Sequence, residues 1–319
     1  MSPGAEVDVE VVIPHLDRRF SLVRTLESLR EQTVAVAICV VDNGSTDGSL
    51  EMLAANYPEV RVVELGQNLG FGTAVNRAVH DSTARSVVLI NNDAVAEPDF
   101  VERLIEARDR SAAQLVAGCM LALDGTIESL GVEVDRRLNP FDCCFGAAPG
   151  SATAASARPL GPSGGAALYD REAFVALGGF DERIFAYLED VDLAIRARLA
   201  GFDCASAPGA VVHHEHSATL GSGSARKNEL MGYSQGFLDW RYGANLSRRE
   251  RVGAAFVQAV VYSGKAVIDR NIGALKGRFA CWRGYRAHAR PASNPSWSQL
   301  SLLEMRLGPA LRRRLIRRT

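Results

Sequence analysis

The chain has 319 residues, 47% hydrophobic and 23% charged, with a formal net charge of −1. That balance suits one large α/β domain or two small ones and excludes wholesale disorder, a collagen repeat and a disulfide-stapled miniprotein. The near-neutral total hides a split: residues 241–319 carry 17 Lys and Arg against three Asp and Glu, whereas the first 240 carry 19 basic and 34 acidic side chains.

Met1 to Glu6 has no basic region followed by an apolar core, so no signal peptide is read and a cytoplasmic protein is expected. Val7, Val9 and Val11 alternate with acidic residues, and Val11-Val12-Ile13 then runs unbroken to Pro14, the pattern of a strand entering a buried sheet. Leu22, Val23, Leu26 and Leu29 follow at helical spacing. Strands are read at 35–41, 60–65, 86–90 and 115–123, and helices at 73–80 and 98–110, the last with Pro98 in its first turn. Ser45-Thr46-Asp47 offers N-cap oxygens to a helix ending near Ala55. Alternation of this kind predicts a largely parallel sheet with helices on both faces and a ligand site beyond the strand C-termini. Residues 139–165, rich in Ala, Gly, Pro and Ser, read as a mobile loop able to close as a lid. Helices are expected near 171–177 and 190–200, the second ended by Gly201. The remainder reads as helical and basic, and Val252 to Ile268, its most apolar stretch, is interrupted by Gln258 and Lys265, too polar to span a bilayer. The six cysteines have no C-x-x-C spacing and read as reduced thiols.

Chemistry-bearing residues gather at the strand ends. Asp42-Asn43-Gly44-Ser45-Thr46-Asp47 follows the second strand and Asn91-Asn92-Asp93 the fourth. Such residues form turns, but two clusters on one sheet edge also suit a ribose hydroxyl and a hard divalent cation. Gly70-Phe71-Gly72 opens a helix without the third glycine of a dinucleotide fingerprint. Glu189, Asp190 and Asp192 crowd one helix start, where they serve either as dipole partners or as a general base kept basic by its neighbours. His213-His214-Glu215-His216 follows a short strand and offers imidazoles as metal partners for Asp93. There is no G-x-S-x-G elbow, P-loop or H-E-x-x-H.

Taken in order, these pieces resemble a family 2 glycosyltransferase with the GT-A fold, an α/β, Rossmann-like, mostly parallel sheet with flanking helices. The matching stretches are Val11 to Pro14, Val41 to Asp47, Asn68 to Asn76, Ile90 to Asp93, Gly178 to Glu182, Glu189 to Leu193 and Val212 to His214. The similarity covers roughly residues 7–220 and is strongest with the rhamnosyltransferase-like branch of bacterial polysaccharide and cell-wall enzymes. It implies inverting transfer of a sugar from a nucleotide diphosphate donor, dTDP-rhamnose first and a UDP-sugar next, to a lipid-linked or oligosaccharide acceptor. By resemblance Asp190, with Glu189 beside it, is the catalytic base. Asp93 and His214 hold Mn²⁺ or Mg²⁺, with His213 and His216 as alternatives to His214. Asp42 and Asn43 read ribose and base, and Pro14 and Asp17 line the nucleotide pocket. Asn68, Gly70 and Asn76 lie on its ribose-phosphate side, Asn91 and Asn92 stand where the family's first metal-motif carboxylate would be, and Gly164 and Gly165 allow close approach of donor or acceptor. The Q-x-x-R-W signature of processive synthases is absent, which implies a single addition per encounter.

The resemblance divides the chain into a catalytic domain, 1–225, with a nucleotide-sugar half (1–125) and an acceptor and metal half (126–225), and a helical basic segment, 226–319. Spaced Arg and Lys among Ala254, Phe256, Val260, Val261, Val267, Ile272 and Leu275, with the basic tail 311–319, suit an anionic membrane surface at the inner face of the plasma membrane rather than nucleic acid. The same helices offer a surface for a homodimer. Two other readings fit the residues less well. A sugar nucleotidyltransferase needs a glycine-rich loop after the first strand, where Pro14 to Arg19 has no glycine. A non-catalytic sugar-nucleotide or glycan scaffold has no use for Asp93, Asp190 and His214 together.

Overall fold

The computed structural model describes residues 8–153, 159–214, 224–268 and 270–304. The N-terminal half alternates strand and helix: β1 (Val9–His15), α1 (Arg19–Arg30), β2 (Ala37–Asp42), α2 (Ser49–Asn56), β3 (Arg61–Glu64), α3 (Phe71–His80) and β4 (Ser86–Ile90). β5 (Ala94–Ala96), α4 (Phe100–Ser111), β6 (Leu115–Leu121), β7 (Ile127–Ser129), β8 (Val132–Val134) and β9 (Pro140–Asp142) follow. Then come β10 (Ala166–Asp170), α5 (Arg171–Ala176), α6 (Glu189–Leu199), β11 (Cys204–His214), α7 (Ala225–Tyr242), α8 (Arg248–Ile268) and α9 (Gly273–Tyr285).

The main sheet runs β3-β2-β1-β4-β10-β6-β11-β5, with β7 beside β6. β3, β2, β1 and β4 are parallel, as are β6 and β11. β10 enters antiparallel between β4 and β6, a reversal that periodicity cannot show because strand direction is set by the connection. Alternation along β1 divides the core. Val11 and Ile13 pack with Leu22, Leu26, Phe100 and Leu104 on one face, and Val12 packs with Val75, Val79, Phe174 and Leu193 on the other.

Local chemistry differs from expectation at two places. α2 begins after Gly48, whose φ of +81° is left-handed, so Gly48 rather than Ser45 to Asp47 takes the cap position. Asp47 still serves that end, accepting from Ser49 N at 3.1 Å and from Arg19 N at 2.7 Å. Residues 139–165 are not one structureless loop. Asn139 is buried and both oxygens of Asp135 accept from its amide, Pro140–Asp142 pairs with Val132–Val134, and Gly161 bridges back to Val132. Residues 154–158 lie outside the described residues. Gly201 ends α6 as expected, with φ +86°; its N–H reaches Arg198 O, and Phe202 N–H reaches Ala197 O, the paired bonds of a Schellman closure.

α7 sends Leu238 and Tyr242 into a cluster with Val134, Leu188, Val191 and Ile195, so it shares a core with α6. α9 crosses α7 at glycines: a Cβ on Gly277 would lie 1.8 Å from Glu229 O. Among the described residues no helix is long and apolar enough to cross a membrane.

Candidate active site

β1, β2, β4 and β11 end on one edge of the sheet, and the site is built there. At the end of β2 the Asp42 carboxylate is buried and accepts from Gly44 N and Ser45 N, each at 3.0 Å, which shapes the turn. Gly44 is left-handed at φ +89°, with Gln67 Cα 2.8 Å from where its Cβ would be. Asn43 ties this turn to the next one: its Oδ1 accepts from Leu69 N at 3.0 Å and its Nδ2 donates to Gly70 O at 3.2 Å. Asn68 caps the same turn by accepting from Gly70 N at 3.0 Å. Gly70, at φ +93°, has Phe185 O only 2.3 Å from its Cβ position, so a side chain there would displace the approach to α6. Asp17, left-handed at φ +53°, accepts from Thr46 N at 2.8 Å and donates its own N–H to Ser45 Oγ. Asp17, the end of β1 beyond Pro14 and the Asp42 turn thus form one wall.

The structure sends Asn76 elsewhere. Its amide is taken by Phe180, donating to the carbonyl at 2.9 Å and accepting from the N–H at 2.8 Å, and this fastens the Gly178-Gly179 turn to α3.

Asn91, Asn92 and Asp93 diverge. Asn92 is buried and its Nδ2 donates to His15 Nδ1 at 2.9 Å, so His15 Nε2 donates to Ser49 Oγ at 2.9 Å. Burial lowers the His15 pKa and keeps the ring neutral, although the charges of Asp42, Asp47 and Asp17 oppose this. Asp93 and Asn91 instead turn to His214: Asp93 Oδ1 and Asn91 Nδ2 each lie 3.2 Å from His214 Nε2. Register explains which histidine is used. β11 pairs His214 with Ala94 and His213 with Val95, and neighbouring strand residues face opposite sides. His214 is therefore buried beside Asp93, whereas His213 is exposed and meets Glu97. His216 lies outside the described residues. Behind His214, Glu128 on β7 holds Nδ1 at 2.8 Å. Burial disfavours the imidazolium, but the hydrogen bonds to Asp93 and Glu128 outweigh it and push His214 up to about 9.

One carboxylate oxygen and one imidazole nitrogen 3.2 Å apart, backed by a second carboxylate, fit Mn²⁺ or Mg²⁺ as two neighbouring ligands. Among the described residues no group of three His, Cys, Asp or Glu converges on one point.

The candidate base, Asp190, stands at the start of α6. Tyr187 and Leu188 are both left-handed, at φ +67°, an arrangement costing about 1–2 kcal/mol per residue. It turns the chain so that α6 begins with Glu189 and Asp190. Asp190 Oδ2 accepts from Gly164 N at 3.3 Å and its Oδ1 from Val191 N at 2.8 Å. The next residue, Gly165, has Asn91 Nδ2 2.7 Å from its Cβ position, so two consecutive glycines reach from Asp190 to Asn91. Burial raises both carboxyls of the pair. The Asp190 charge adds to burial at Glu189, which reaches about 8 and whose Oε2 has no hydrogen-bond partner. Two buried carboxyls side by side resist ionising together, so the pair holds a proton more strongly than two exposed carboxylates would. Asp192, one turn face away, is fully buried against Arg196 and takes no part in this.

Sequence reasoning missed three residues here. Glu128 sits on a three-residue strand with no motif around it. Tyr187 feels the charges of both Glu189 and Asp93; these and, above all, burial push its phenol up to about 12. Lys227, in the first turn of α7, holds its ammonium 5.5 Å from the centre of the Tyr187 ring. Burial lowers its pKa, opposed by the charge of Glu128. No local signal marks any of the three. Gln235 and Trp240, near the place of a processive signature, are structural: Gln235 Nε2 donates to Leu138 O at 2.9 Å, and Trp240 stacks 4.5 Å from Tyr285.

Comparison with known proteins identifies the family and the fold. The family model for glycosyl transferase family 2 matches residues 10–129, and that for glycosyl transferase family group 2 matches residues 86–285. The chain is 31% identical over 234 residues to the N-acetylglucosaminyl-diphospho-decaprenol L-rhamnosyltransferase of Mycobacterium tuberculosis H37Rv, covering 65% of this chain and 74% of that one. It is 32% identical over 122 residues to the succinoglycan biosynthesis protein ExoO of Rhizobium meliloti, covering 37% of this chain and 35% of that protein. Among solved structures, GalNAc-T7 with UDP, GalNAc and Mn²⁺ aligns with a TM-score of 0.62 at 13% identity, over 93% of this chain and 57% of that one. The mannosyltransferase PcManGT from Pyrobaculum calidifontis, in complex with GDP-Man and Mn²⁺, aligns with a TM-score of 0.54 at 18% identity, over 99% and 88%. The fold is the GT-A fold, and the chain belongs to glycosyl transferase family 2, as an enzyme of its rhamnosyltransferase-like branch.

Proposed function

We propose that this enzyme is an inverting, metal-dependent glycosyltransferase that moves one sugar per encounter from a nucleotide diphosphate sugar to a lipid-linked or glycan acceptor in bacterial polysaccharide or cell-wall synthesis. dTDP-rhamnose is the favoured donor and a UDP-sugar the next. The reading is carried by one arrangement: the buried Glu189–Asp190 pair at the start of α6, with Asp190 accepting from Gly164 N and Gly165 beside Asn91 at the Asp93–His214 edge. The acceptor hydroxyl attacks the anomeric carbon opposite the leaving diphosphate; the new C–O bond forms as the old one breaks, and Asp190 takes the hydroxyl proton. Asp42, Asp17 and the Asn43–Gly70 turn form the wall for the nucleoside. Lys227 brings positive charge to the side where the diphosphate departs. A bound Mn²⁺ or Mg²⁺, held by Asp93 and His214, would supply the Lewis acid that neutralises the diphosphate. The relative that acts as an L-rhamnosyltransferase on N-acetylglucosaminyl-diphospho-decaprenol supports the donor and the lipid-linked acceptor. The Mn²⁺ in two structures of the same fold supports the metal.

Calorimetric titration of dTDP, UDP and GDP, each with and without Mn²⁺, tests this. One nucleotide should bind, tighter with Mn²⁺, and Asp93→Ala should remove the metal-dependent part. Binding of none, in either condition, would overturn the reading. A second expectation concerns Glu128. Glu128→Gln replaces the carboxylate behind His214 with a neutral amide and leaves both candidate ligands unchanged, so Mn²⁺ affinity should fall by about 10–100-fold. Electron paramagnetic resonance of free Mn²⁺ reads this directly, and an unchanged affinity would show that Glu128 does not orient His214.

A further inference from the structure

Eight of the twelve exposed large hydrophobic side chains among the described residues lie between residues 252 and 282. They are not scattered. α8 buries Ala254, Val257, Val261 and Tyr262, and the last three of these form a small cluster with Ala274 of α9. Its other side exposes Val252, Phe256, Val260 and Val267, which fall within an arc of about 80° at 100° per residue. α9 repeats the pattern. Gly273, Ala274, Gly277 and Cys281 face inward, and Leu275, Phe279 and Trp282, with Ile272 at the cap, form a second outward stripe. Val267 is 78% exposed, Phe279 61% and Trp282 54%, far more than single surface apolar residues require explaining.

The rim of these stripes is cationic. Residues 248–290 hold ten Lys and Arg against two Asp and Glu. Arg248, Arg249 and Arg251 are exposed at the start of α8, and Lys276, Arg283 and Arg286 along α9. Arg286 lies 5.1 Å over the Trp282 ring, whose centre is 5.6 Å from that of Phe279. An aromatic pair beside arginines, on a helix too polar to insert across a bilayer, matches the chemistry of the headgroup and acyl-chain boundary. A second copy of the chain would bring like-charged rims together, whereas an anionic lipid surface neutralises them.

We propose that the outer faces of α8 and α9 form a docking surface for an anionic lipid bilayer, with Phe256, Phe279 and Trp282 entering the interface and the flanking arginines meeting the headgroups. Its purpose rests on the lipid-linked acceptor reading, but its test does not. The full chain is sedimented with vesicles of phosphatidylcholine alone and of phosphatidylcholine with phosphatidylglycerol. Binding should require the anionic lipid, fall with salt, and shift Trp282 fluorescence to the blue. Phe256→Ser with Phe279→Ser should weaken it by at least about tenfold, and Arg283→Glu with Arg286→Glu by a similar factor. Trp282→Gln, a single substitution of an exposed side chain, guards against a folding defect in the pairs. Nucleotide titration on the same samples reads the sugar-transfer site separately, so lost vesicle binding with intact nucleotide binding leaves the transferase reading untouched. Equal binding to neutral vesicles, variants that bind like the wild type, or a concentration-dependent dimer that the apolar substitutions dissolve would each overturn the proposal.

Discussion

Asp190→Asn should lower turnover by about 10²–10⁴-fold while leaving nucleotide affinity within about twofold. The substitution keeps the shape, and its single amide oxygen still accepts from one of the two backbone donors, Gly164 N or Val191 N, but the amide nitrogen cannot accept from the other and no lone pair basic enough to take the acceptor proton remains. Steady-state transfer assays with calorimetry on the same variant check this. Turnover within fivefold of the wild type would exclude Asp190 as the base. The pH profile adds a sign. Burial raises Asp190, and the base must be ionised to work, so kcat/KM should fall as pH drops through a value above the ordinary carboxylate range. Glu189 behaves in the opposite sense, losing its proton only near pH 8, so Glu189→Gln should flatten changes on the alkaline side and leave the acidic limb in place.

The largest loss of stability should come two residues further on, from Asp192→Ala. Asp192 is fully buried. Its Oδ2 is 2.8 Å from Arg196 Nε, and its Oδ1 accepts from Tyr242 OH at 2.8 Å, with Arg241 Nη1 at 3.4 Å. Arg196 in turn donates to Leu177 O and Gly179 O, each at 2.7 Å. Removing the carboxylate leaves the Arg196 guanidinium without its ion-pair partner in a low-dielectric interior, while Arg241 keeps Asp181, and costs about 3–5 kcal/mol. Urea denaturation should show that loss, and Asp192→Ala with Arg196→Met should recover part of it by removing the stranded charge. A loss under about 1 kcal/mol would mean that water reaches the pair. The two predictions separate neighbours that composition treats alike: Asp190 faces the site, and Asp192 fastens α6 to α7 and to the Gly178-Gly179 turn.

Much of this molecule was legible in its amino-acid order. Strand and helix periods are local, so β1 to β4, α1, α3 and α6 lie where the spacing of apolar residues predicts. The clusters at the ends of β2 and β4 fall on one sheet edge because parallel strands joined by helices must end together. The chemical character of the site, one carboxylate with an imidazole and a crowded acidic helix start, was also present in the residue types.

Tertiary structure decided the rest. The choice of His214 over His213 depends on the register between β11 and β5, a pairing across more than a hundred residues. Asn76 is spent on Phe180, and Asn92 on His15, through contacts that span 104 and 77 residues. Glu128, Tyr187 and Lys227 meet the site from three separate segments with no motif of their own. Only the fold brings these groups together, because burial and proximity belong to the folded chain and are not encoded within any short window of sequence.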